Sequence, residues 1–112
     1  MTTEVNQAAP DPRWYAVRCI FHHAELGTYE ERITLWRADD GEEAVAKAES
    51  EASEYAAALE DVHDLGLQQA FHLFDEPGEG GEVFSLMRAS ALEPREYVTR
   101  FFDTGLEREQ QI

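Results

Sequence analysis

Hydrophobic positions along the chain change period several times. Residues 14–23 (WYAVRCIFHH) are rich in β-branched and aromatic side chains and predict a strand. Residues 24–28 (AELGT) hold a glycine and predict a short loop, and residues 29–38 (YEERITLWRA) predict a second strand that closes a β-hairpin. Asp39-Asp40-Gly41 breaks the pattern, and Asp40 followed by Glu43 fits a capping-box start with acids at the positive end of a helix dipole. From there to residue 60 the period becomes helical. Val45, Ala48, Ala52, Tyr55, Ala56 and Leu59 share one face, whose alanines let the helix lie close to a sheet, while Glu43, Lys47, Ser50 and Glu54 are solvated.

Residues 60–66 read as a polar connection and 67–75 (LQQAFHLFD) as a third strand. The run 76–81 (EPGEGG) is a turn, and 82–89 (EVFSLMRA) predicts a fourth strand and a second hairpin. Pro94 fits the first turn of a second helix and Gly105 its stop, with Tyr97, Val98, Phe101 and Phe102 as its apolar stripe. The expected fold is therefore α+β in the order ββαββα. It has a four-stranded antiparallel sheet, a long helix on one face and a short C-terminal helix that serves dimerisation. Residues 1–12, with two prolines and no apolar period, read as a flexible tail, 13–105 as one domain and 106–112 as a frayed end.

Strand alternation sorts the side chains. Tyr15, Val17, Cys19 and Phe21 are expected to face the helix, with Ile33 and Leu35 of the second strand and Leu67, Phe71 and Leu73 of the third. The other face then collects Trp14, Ala16, Arg18, Ile20, His22, Glu30, Arg32, Thr34, Trp36, Ala70, His72 and Phe74. Aromatics of that number left in water normally have a purpose. One is structural: the second helix, or its copy from another subunit, covers the sheet. The other is a groove for a ligand or peptide.

Composition narrows the classes. The chain has 112 residues, 43% of them hydrophobic, enough for one modest core. Twenty-four acidic against nine basic residues give a net charge of −15, an unsuitable field for a nucleic-acid binder, and no apolar stretch suits a membrane. A single cysteine, Cys19, excludes an internal disulfide and suits a reducing cytoplasm; no N-terminal stretch has the pattern of a signal peptide. The acid excess fits solubility by self-repulsion, and more sharply a basic partner.

The succession WYAVRCIFHH, YEERITLWRADDGEEAVAKAE and GLQQAFHLFDEPGEGGEVFSL resembles a family of small bacterial proteins known as domain of unknown function 4288. The likeness covers roughly residues 14–89, and EPREYVTRFFDTG looks like an actinobacterial version of its continuation. It implies an α+β plan and a cytosolic bacterial origin, and no activity.

Candidate chemistry is sparse. Tyr29-Glu30-Glu31-Arg32 alternates charge on one strand, with Arg18 across the hairpin. This is either an ordinary cross-strand ladder or an arginine pair that grips a carboxylate. His22 and His23 point to opposite faces and cannot chelate one ion; His22 and His72 are expected to share the second face, but no zinc-ligand spacing exists. Cys19 lies among core residues and is a poor nucleophile candidate. The Gly-rich turn at 77–81 lacks the lysine and following helix of a phosphate loop. No cofactor and no metal are expected.

The reading is a small acidic binding or adaptor protein, non-enzymatic and homodimeric, that recognises a peptide or protein. An immunity-type or pathway-accessory role is meant. Its expected surface is Trp14, Arg18, His22, Glu30, Arg32, Trp36, His72 and Phe74, and its dimer contact is Tyr97, Val98, Phe101 and Phe102. The alternative is a small enzyme or auxiliary catalyst that orients a substrate in this groove, with His22, Glu30, Glu31 and His72 as acid–base groups. A third reading is a structural dimer with no site at all.

Overall fold

The computed structural model describes residues 13–107, so the tail readings for 1–12 and 108–112 lie outside the described residues. The elements are β1 (Arg13–His23), β2 (Thr28–Ala38), α1 (Gly41–Ala57), β3 (Val62–His72) and α2 (Pro94–Phe101). The architecture is α+β, but the order is ββαβα, and the sheet has three strands in the order β2-β1-β3.

The first hairpin forms as expected. Its turn is held by Leu26 N–H donating to His23 O and Gly27 N–H donating to Ala24 O, with Gly27 at φ 63°. This loop sets the register across the hairpin, from His23 opposite Thr28 to Arg13 opposite Ala38. α1 starts where the cap residues put it: the Asp40 carboxylate accepts from Glu43 N–H at 2.8 Å, and Glu43 accepts from Asp39 N–H at 2.6 Å. Ala44, Ala48 and Ala52, one turn apart, are fully buried against Tyr15, Val17, Cys19 and Phe21. With no side chain beyond Cβ on that row, the helix axis sits close to the sheet. Tyr55 and Ala56 pack at the edge of this core, while Leu59 falls beyond the helix and is exposed.

The second hairpin does not form. β3 begins at Val62, within the stretch read as a connection, and pairs antiparallel with β1 rather than with a fourth strand. It takes the free edge of β1, so β1 is central and α1 crosses over it between the two outer strands. Its early start is masked in the sequence by polar residues and a glycine. Cys19 pairs with Gln68 and Phe21 with Asp64, so Ile20 of β1 faces three residues of β3, Leu65, Gly66 and Leu67. Gly66 takes φ 75° in this bulge and donates its N–H to the Asp64 carboxylate at 2.9 Å.

Residues 82–89 form no strand. Their apolar side chains come as adjacent pairs, Val83-Phe84 and Leu86-Met87, so a strand would need cover on both faces. Only one face of the sheet has a helix on it. The turn closes on itself, Gly81 N–H to Gly78 O at 3.0 Å, and the chain leaves the sheet. α2 has proline in its first turn, as expected, but among the described residues approaches no other helix or strand and buries none of its residues.

Candidate functional site

Register, rather than hydrophobicity, decides which face each side chain of the outer strands occupies. Directly opposed residues share a face. Trp36, Thr34, Arg32 and Glu30 lie opposite Tyr15, Val17, Cys19 and Phe21, and therefore on the helix side. Ile33 and Leu35 lie opposite Arg18 and Ala16, on the second face, where they are 45% and 41% exposed. The expected faces of β2 are thus exchanged. So are those of β3: His72 lies opposite Tyr15 and stacks on its ring at 5.0 Å, while Phe71 lies opposite Ala16; Leu73, just past the strand, is buried as expected.

The expected surface is accordingly split. On the helix side, at the outer margin of α1, charged groups of β2 are satisfied by the helix. The Arg32 guanidinium donates to Glu51 at 2.7 Å and lies 3.9 Å from the centre of the Tyr55 ring. The Tyr55 hydroxyl donates to both carboxylate oxygens of Glu30, at 2.9 and 3.0 Å, and His23 Nε2 lies 2.9 Å from the same group. Burial, then the Glu30 carboxylate, pushes the Tyr55 phenol above its ordinary pKa; the Glu51 hydrogen bond holds Arg32 more firmly protonated. This cluster seals the margin of the core. Trp36 packs there too, its indole N–H donating to Thr34 Oγ1 at 2.7 Å. Phe74 lies beyond the end of β3, nearly bare, with its ring 6.5 Å from that of His72.

The second face keeps Trp14, Arg18 and His22 from the expected set. His22 stacks on Tyr29 at 4.5 Å. Arg18 donates to Glu31 at 3.2 Å and to the side-chain oxygen of Gln69, and its guanidinium lies 5.4 Å from the centre of the Phe84 ring. Trp14 is half-buried under Arg37, and its indole nitrogen has no partner among the described residues. The expected arginine pair does not exist as a site, because Arg18 and Arg32 occupy opposite faces. The expected acid–base set is also dispersed: His72 and His22 sit opposite Tyr15 and at position 22 of β1, seven residues or roughly 20 Å apart along the strand, on different faces. Among the described residues no group of three or more His, Cys, Asp or Glu is disposed to hold a metal ion.

The residues that sequence reasoning missed lie on this open face. A shallow depression of about 310 Å³ is lined by Arg18, Ile20, Leu67, Gln68 and Gln69. Ile33 and Leu35 stand beside it on β2, and Leu67, in the bulge, is 58% exposed. The signal that would have found them was the hairpin register. Counting outward from the 24–27 loop pairs Ile33 with Arg18, whatever their hydrophobicity.

Cys19 is buried opposite Arg32 and Gln68. Burial, then the neighbouring Asp64 and Glu51 carboxylates, pushes its thiol upward, the opposite of what a nucleophile needs. No helix among the described residues is long and apolar enough to cross a membrane. Comparison with protein-family models, curated proteins and solved structures finds no match to the chain.

Proposed function

We propose that this chain is a non-enzymatic binding protein whose open sheet face receives a segment of polypeptide. The observation that carries the reading is the exposed Ile33 and Leu35 on β2 and Leu67 on β3, which flank Arg18 and its depression from either side of β1. Exposed aliphatic side chains grouped on a rigid sheet suit a partner that brings apolar side chains of its own. Arg18 is already engaged by Glu31 and Gln69, so it offers shape and a guanidinium plane rather than an unpaired charge for a free carboxylate. The surrounding charge of −15 favours a neutral or basic segment over an acidic one. The role meant is adaptor- or immunity-type; the motif resemblance bears only on an α+β plan and a cytosolic bacterial origin.

The test places a benzophenone photocrosslinker at position 35 and illuminates the chain in a bacterial lysate. One discrete polypeptide adduct is expected, absent when Ile33→Asp is added and absent when the probe sits at position 49 on the outer side of α1. Equal labelling from positions 35 and 49, or no adduct from either, overturns the reading.

A further inference from the structure

We infer that the segment received by this face is the C-terminal arm of a second copy of the same chain, exchanged reciprocally; the inference rests on the binding reading above. Three observations carry it.

The first is an unpartnered apolar arm. Phe84 packs against Phe71, ring centres 5.9 Å apart, and beyond it α2 contacts no other helix or strand among the described residues. Within the arm, Arg88 reaches back to α2, its guanidinium 4.4 Å from the centre of the Phe101 ring and 3.2 Å from the Tyr97 hydroxyl. The apolar stripe nevertheless stays open. Met87 is 94% exposed, Phe102 78%, and Val98, Phe101 and Leu106 are exposed as well.

The second is area. An aromatic side chain carries on the order of 150–250 Å². With Met87 94%, Leu106 87% and Phe102 78% exposed and Val98 and Phe101 less so, the arm leaves several hundred Å² of apolar surface, a substantial part of the roughly 800 Å² one partner contributes to a stable interface.

The third is the distribution of charge. Residues 13–82 hold five basic and 17 acidic side chains, a net of −12, whereas residues 83–106 hold three of each. Two bodies meeting face to face would bring like charge together. The arm is the neutral part, and its Arg95 and Arg100 are exposed, so it can approach an acidic body without repulsion. Within one chain Phe84 covers the face at Phe71 and Arg18, while Ile33, Leu35 and Leu67 of the face and Met87, Phe102 and Leu106 of the arm stay exposed, so reciprocal exchange satisfies both by one two-fold operation.

The purified full-length chain with the position-35 photocrosslinker is illuminated alone, and its mass in solution is measured by light scattering. A doubled mass is expected, with a self-adduct that maps to residues 86–106. Phe101→Asp and Ile33→Asp, each with an unchanged circular dichroism spectrum, should weaken self-association about tenfold or more, as loss of a central interface anchor does. A monomer without self-adduct overturns the inference. So does a dimer that neither substitution weakens, as pairing through the free edge of β2 would give. If the purified chain gives no self-adduct while the lysate gives one with another polypeptide, the binding reading stands and the arm exchange falls. Absence of both adducts removes both.

Discussion

At the scale of single residues, the helix-side polar cluster contributes stability rather than chemistry. The Tyr55 hydroxyl donates to the Glu30 carboxylate while its ring packs against Phe21 in a T-shaped contact and its face carries Arg32. Tyr55→Phe keeps the ring and removes the hydroxyl, and is expected to cost about 1.5 kcal/mol in urea unfolding. The phenol is raised above its unfolded value near 10, so its neutral form is favoured by folding. Its contribution is fully present below the unfolded pKa and is lost as pH rises through the folded one. The gap in urea midpoint between wild type and Tyr55→Phe should therefore narrow above about pH 10. Cys19 gives a second outcome. A buried thiol pushed upward should react with a disulfide reagent only as fast as the protein opens, and at full rate in denaturing urea. Rapid labelling of the native protein would contradict the burial.

Among elements, α1 and β1 carry the core, and their fit depends on small residues. Ala44, Ala48 and Ala52 have no exposed surface to give up, and Phe21 and Val17 are the largest side chains wholly inside. Ala48→Leu would force the helix from the sheet and should cost about 1–3 kcal/mol, read as a lowered denaturation midpoint. Gly66 makes a different case. A Cβ there would meet nothing within 4 Å, so space is not the issue; its φ of 75° is. Gly66→Ala should cost about 1–2 kcal/mol through backbone strain alone, with no change in the core. An equal cost for Gly66→Ala and Gly78→Ala would remove the bulge argument, because Gly78 has neither a positive φ nor a close neighbour.

For the whole molecule, charge and exposed apolar surface act against each other. A net charge of −15, of which −12 falls on the body, weakens the compact state by self-repulsion. Screening should raise the urea midpoint between low salt and about 0.5 M sodium chloride, where the Debye length falls well below the spacing of the acidic side chains. A midpoint that falls with salt would mean that ion pairs such as Arg32–Glu51 outweigh the repulsion. The same screening relieves repulsion between two bodies, so self-association through the arm should strengthen with salt, whereas a contact built on charge attraction would weaken.

Local pattern was enough for the first hairpin, for the Asp40 cap and the alanine face of α1, for the proline start of α2 and for burial of Tyr15, Val17, Cys19 and Phe21. These depend on neighbours in the chain: a turn glycine, a capping side chain, an apolar period. Local pattern was not enough for the strand count or for the faces of β2 and β3. The 82–89 run has the composition of a strand, but its apolar side chains come as adjacent pairs, so at the outer edge of β3 one of each pair would face away from the helix-covered side. Ile33 and Leu35 are apolar and Glu30 and Arg32 charged, yet hairpin register turns the charged pair inward, where Tyr55 and Glu51 of a helix beginning some ten residues later satisfy them. The candidate binding face is therefore a product of tertiary structure. Its apolar strip exists because pairing geometry, which alternates strictly, overrode the preference of individual side chains for the core.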